Sequence, residues 1–90
     1  METIGILNID RSDNMKKIYE NIYQVWLLNR NKETVELMLT SKNDYAKLIV
    51  MVSLDNDCIF DYRPLYNYCY GNQETYNEHI IKAIEVLKNE

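Results

Sequence analysis

The decapeptide Tyr45–Leu54, YAKLIVMVSL, constrains this chain more than any other stretch. Leu48, Val50, Val52 and Leu54 fall on one side of an extended backbone, and Ile49 and Met51 on the other. Apolar residues on both faces predict a strand in the interior of a sheet. Just before it, Glu33–Ser41 alternates with a period of two: Val35, Leu37 and Leu39 point one way, Thr34, Glu36, Met38 and Thr40 the other. That pattern predicts a half-buried strand. The polar connector Asn29–Lys32 precedes it, and Lys42, Asn43 and Asp44 supply the turn between the two strands. Asp55, Asn56 and Asp57 end the second strand with another turn.

Helical spacing marks both flanks. Met15, Ile18, Tyr19, Ile22, Tyr23 and Trp26 follow steps of three and four, with Lys16, Lys17, Glu20 and Asn21 on the other side. With Asp10 as N-cap and Asp13 in the first turn, this predicts an amphipathic helix from Ser12 to Leu28, with Trp26 in the core. A short strand, Thr3–Ile9, could stand in front of it. At the other end, Thr75 and Glu78 have capping-box spacing, and Tyr76, Ile80, Ala83, Ile84 and Leu87 line one face of a helix that runs to about Asn89.

Cys58–Gly71, CIFDYRPLYNYCYG, holds four of the eight tyrosines, both cysteines and the only proline. Read as a hairpin with Arg63 and Pro64 in the loop, it opposes Tyr62 to Leu65, Phe60 to Asn67 and Cys58 to Cys69. Tyr66, Tyr68 and Tyr70 would then share one face, with Ile59 and Asp61 as cross-strand neighbours. Proline at the second loop position suits only special turns, so a wider loop fits equally well.

The fold class expected is α+β: an antiparallel sheet of three or four strands with an N-terminal and a C-terminal helix on one face, in one domain spanning residues 1–90. The order α-β-β-β-α resembles that of double-stranded RNA-binding domains. Such domains grip phosphate with a basic cluster at the start of the last helix. Here that position reads Asn72-Gln73-Glu74-Thr75-Tyr76-Asn77-Glu78, which is acidic, so RNA binding is not carried over.

A formal charge of −4, from 14 acids and 10 bases, disfavours direct attraction to nucleic acid or to an anionic membrane. The longest apolar runs are too short to cross a bilayer and the first residues do not form a signal peptide, so a cytoplasmic protein is expected. For a phage-encoded chain that means the host cytoplasm. Cys58 and Cys69 then read as thiols. Together with His79 they lack the spacing of a zinc site, and Asp55, Asp57 and Asp61 lack the glycine and distal glutamate of a calcium loop. No phosphate-cradling glycine loop or nucleophile elbow is present, and no cofactor, metal or catalytic residue is assigned.

The function expected is therefore non-catalytic: a binding protein that inhibits or sequesters a larger, nucleic-acid-processing protein with a basic surface. Small phage inhibitors of bacterial defence, anti-CRISPR proteins among them, have this general character. Its contact residues would be Tyr62, Tyr66, Tyr68 and Tyr70, with Asp55, Asp57 and Asp61 supplying charge. A second reading is a sponge for a small ligand such as a nucleotide signal, with tyrosines stacking on bases and Arg63 holding phosphate. A third is a structural subunit or homodimer that associates through an open sheet face.

Overall fold

The computed structural model describes residues 15–89. Five consecutive strands form one antiparallel sheet: β1 (Lys16–Glu20), β2 (Gln24–Arg30), β3 (Thr34–Thr40), β4 (Ala46–Ser53) and β5 (Cys58–Pro64). Every strand pairs with its sequence neighbour, which makes the sheet a meander. A 3₁₀ helix, Asn67–Asn72, leads into the single α-helix among the described residues, α1 (Gln73–Lys88).

The strands at Thr34–Thr40 and Ala46–Ser53 lie where their alternation puts them. β4 is interior, flanked by β3 and β5. The turns are built by short polar side chains. Asn31 Oδ1 accepts hydrogen bonds from the backbone N–H groups of Glu33 and Thr34, at 2.8 Å each, and Asn56 Oδ1 accepts from that of Cys58 at 3.1 Å. Asp44 (φ 64°) and Asp57 (φ 57°) take left-handed conformations that a short polar side chain tolerates.

The fold class read from the sequence needs correction in its first half. Of the stretch predicted as a helix from Ser12 to Leu28, the residues from Lys16 on form the β1–β2 hairpin, turning through Asn21–Tyr23, so the described residues hold a sheet of five strands rather than three or four, and one helix rather than two. Two β-bulges account for the misleading period. The register shifts at Ile18 between β1 and β2, and at Leu28 between β2 and β3. The bulge puts Ile18 in the core with Tyr19 packed against it, which breaks the alternation and imitates helical spacing. Ile18, Tyr19, Tyr23, Val25 and Trp26 are also β-branched or aromatic, types that suit a pleated surface. The order α-β-β-β-α falls with this helix, and with it the likeness to double-stranded RNA-binding domains. The strand expected at Thr3–Ile9 and the cap at Asp10 and Asp13 lie outside the described residues.

The Cys58–Cys69 hairpin is corrected as well. Its first half is β5, but β5 pairs with β4: Tyr62 faces Val50 and Cys58 faces Ser53. Its second half leaves the sheet. The last ladder contact beyond Pro64 is the Leu65 N–H to the Lys47 carbonyl, at 2.8 Å, after which the chain coils into the 3₁₀ helix. Pro64 thus ends an edge strand, where the lost donor removes no necessary bond.

One face of the sheet carries the core. Val25, Val35, Leu37, Leu39, Leu48, Val50 and Val52 point to α1, which supplies Tyr76, Ile80, Ala83, Ile84 and Leu87. Fully burying each such aliphatic side chain contributes about 2 kcal/mol. The helix crosses β1, β2 and β3, and Cys69 from the 3₁₀ helix joins the same core. Helix α1 begins at Gln73, ahead of the capping-box pair, and its N-cap Asn72 makes no side-chain capping bond.

On the opposite face one row crosses all five strands: Lys17, Trp26, Met38, Ile49 and Arg63. Trp26 therefore sits on the face away from the helix, where its Nε1–H donates to Thr40 Oγ1 at 2.9 Å and Lys17 Nζ lies 5.6 Å from its ring centre.

Candidate functional site

Folding into a 3₁₀ helix beyond β5 decides where the tyrosines go. Tyr62 is still in the strand and points to the core, and its hydroxyl donates to the Cys69 carbonyl at 3.2 Å. Desolvation, with Cys69 next in importance, raises its pKa. Tyr66 is extended, and Tyr68 and Tyr70 follow within the tight helix. All three are exposed, Tyr70 most of all at 63%.

These rings form a surface with a specific geometry. Tyr66 and Tyr68 stack with centres 5.5 Å apart and planes 2° from parallel. Lys47, from β4, donates to the Tyr68 hydroxyl at 3.0 Å with its Nζ 4.9 Å from the ring centre. That hydrogen bond is the main cause of a raised Lys47 pKa, so the ammonium stays charged beside the phenol. Phe60 and Leu65 are exposed too. Of the eight large apolar residues exposed among those described, five lie between Phe60 and Tyr70. Exposed apolar side chains concentrated in one segment, with two of the rings stacked, are a feature that marks interaction sites.

The acidic residues do not join it. Asp55 and Asp57 are in the β4–β5 turn at the start of β5, and the tyrosines follow its end. A seven-residue strand separates them, about 20 Å at the usual rise per residue. Asp57 Oδ1 is 2.7 Å from Lys88 Nζ, at the C-terminus of α1. Asp61 pairs with Arg63 Nε at 3.3 Å, and Arg63 Nη2 reaches Glu36 Oε2 at 3.1 Å. Arg63 thus occupies the face away from the helix, held by two carboxylates and separated by the strand from Tyr62. The structure brings Tyr66 and Tyr68 together, leaves Tyr70 exposed nearby in the chain, and places Tyr62, Arg63 and the three aspartates elsewhere.

Sequence reasoning missed Lys47, Phe60 and Leu65. Lys47 is the one charged residue in β4, and a cation inside so apolar a run is a signal that could have singled it out. Phe60 lies where the register between β4 and β5 shifts, and bulges are not visible in a sequence.

His79 lies in the core of the helix face, not on the surface. Tyr19 and Tyr23 enclose its ring, with centres at 5.8 Å and 5.1 Å. Burial first, then repulsion by Lys82, lowers its pKa, and Glu78 opposes the shift. Cys58 is exposed and Cys69 buried. Among the described residues no three His, Cys, Asp or Glu side chains are placed to hold a metal ion, and no helix is long and apolar enough to cross a membrane.

The geometry defines a class of scaffold: an antiparallel meander with one helix across it and an exposed aromatic edge. No family model matches the chain, and neither a curated protein nor a solved structure is significantly similar to it.

Proposed function

We propose that this chain is a non-catalytic binding protein that docks on a larger protein and inhibits or sequesters it. The observation that carries this reading is the stacked, solvent-exposed pair Tyr66 and Tyr68, with Tyr70, Leu65 and Phe60 exposed in the same segment. Folding gains little from rings left in water, whereas an interface gains much from them. Stacking also restricts the rotamers of both rings before a partner arrives, which lowers the entropy cost of ordering them on binding.

Net charge supports a partner with a basic surface. At −4 the chain is drawn as a whole to cationic surfaces, such as those that handle nucleic acid. Asp57 and Asp61 are engaged with Lys88 and Arg63, so the attraction belongs to the overall charge and not to a dedicated acidic cluster. An anti-defence inhibitor of the anti-CRISPR kind meets these requirements.

The test is affinity capture from a bacterial lysate with tagged wild type and a Tyr66→Ala/Tyr68→Ala variant. Saturable, stoichiometric capture of one nucleic-acid-processing protein, lost in the variant while its thermal midpoint holds, is the expected outcome. Capture that the variant retains would place the contact elsewhere, and recovery of bait alone would remove the reading.

A further inference from the structure

A concavity opens where two turns, β4, the 3₁₀ helix and α1 meet at one end of the sheet. The β1–β2 turn contributes Asn21, Ile22 and Tyr23, the β3–β4 turn Ser41 and Lys42, and β4 contributes Lys47. Tyr68 and Asn72 of the 3₁₀ helix and Tyr76 of α1 complete it. Its volume is about 530 Å³, within the range of small-molecule sites.

The lining has a definite chemical bias. Lys42 and Lys47 are both cationic, and no described carboxylate lines the cleft, although acids outnumber bases 14 to 10 in the chain. Ser41, Asn21 and Asn72 add neutral donors around the lysines. The remaining walls are apolar or aromatic: Ile22 stands 67% exposed at the rim, and Tyr23 packs edge-on against the buried Tyr76 with ring centres 5.3 Å apart. Tyr68 fixes Lys47 through the 3.0 Å bond to its hydroxyl, which holds one cation in place before any ligand enters. Cations and donors beside aromatic walls suit a ligand that is anionic at one end and flat at the other.

We propose that this cleft binds a small aromatic phosphate of mononucleotide size, with Lys42 and Lys47 holding the phosphate and the planar ring resting against Ile22 and the tyrosines. A fully basic phosphate pocket would bind inorganic phosphate equally well. Here two lysines supply part of the affinity, and the ring must supply the rest. The cleft shares Tyr68 with the docking edge, but ligand binding and partner capture are read separately, and either can fail without the other.

The experiment is a titration of the full chain with AMP, GMP, CMP, UMP and phenyl phosphate, alongside inorganic phosphate and adenosine. It is read by thermal midpoint and by backbone amide shifts at Asn21, Lys42, Tyr68 and Asn72. At least one aromatic phosphate should raise the midpoint and shift those amides, and should bind more tightly than either inorganic phosphate or adenosine. Lys42→Gln and Lys47→Gln should each raise its Kd about tenfold, as expected for one charge-assisted contact removed. Lys17→Gln, on the far face, should leave it unchanged. No response to any of the five aromatic phosphates would overturn the proposal, and so would equal affinity for inorganic phosphate or unaltered binding by both lysine variants. Tyr70→Ala, at an exposed ring outside the cleft lining, should retain the response whether or not a protein partner is captured.

Discussion

The hydroxyl of Tyr19, in the first strand, lies 3.2 Å from Nδ1 of His79, in the final helix, across 60 residues of sequence. Tyr23 packs its ring against the same imidazole, and Lys82 and Glu78 are the charged groups that act on it. Burial first, then repulsion by Lys82 with Glu78 opposing, favours the neutral imidazole.

Acidification should reveal this. The folded-state pKa of His79 is lowered from 6.5, so the folded protein binds a proton less readily than the unfolded chain. The stabilisation is complete above the unfolded value and is lost as pH falls through and below it. Thermal midpoints taken between about pH 7.5 and pH 5.5, above the range in which most carboxylates titrate, should fall for the wild type. His79→Gln should flatten that slope, and a variant with the wild-type slope would assign the dependence to another group.

Two substitutions separate the hairpin from the helix that the spacing of residues 15–26 suggests. Val25 is fully buried and lies off the helical stripe, whereas Ile22 is on the stripe and 67% exposed. Val25→Ala should cost about 2 kcal/mol in denaturant unfolding, and Ile22→Ala less than about 0.5 kcal/mol. A reversed ranking would restore the helix.

That contrast shows where the sequence was legible. β3 and β4 could be read because their alternation is unbroken over Val35–Leu39 and Leu48–Val52, and α1 because Tyr76, Ile80, Ala83, Ile84 and Leu87 keep one face. The first hairpin could not, since a bulge at Ile18 shifts the period by one residue and leaves no local trace. Cys58–Gly71 was misread for a related reason. Its tyrosines alternate as a strand would, but Pro64 ends the ladder and the 3₁₀ helix distributes them by a different geometry. The exposure of Tyr68 and Tyr70 within that helix, and of Tyr66 just before it, could not be derived from spacing.

Tyr62 should behave as a structural residue and Tyr70 as a surface one. Tyr62→Phe removes the hydrogen bond to the Cys69 carbonyl and should lower stability by about 1 kcal/mol. Tyr70→Ala should leave the thermal midpoint within about a degree of wild type, since surface substitutions rarely matter. Unfolding curves of the two variants side by side check both.

The two thiols should differ sharply in reactivity. Cys58 is exposed and Cys69 is fully buried beside Tyr76, whose hydroxyl lies 4.0 Å from Sγ. A colorimetric thiol reagent should label one group per chain at once and the second only at the rate at which the structure opens. Two fast equivalents would mean that the 3₁₀ helix does not stay packed.

Pairing each strand only with its sequence neighbour has a consequence for how the molecule is assembled. Each hairpin closes a short loop, so the ladder from Lys16 to Pro64 can zip up with little search. Among the described residues, the side that carries Val25, Leu37, Leu39 and Val50 is covered by α1, which follows all five strands. During synthesis a hydrogen-bonded but greasy-sided sheet would precede its lid, and its vulnerability to misassociation would last until Ile80, Ile84 and Leu87 emerge.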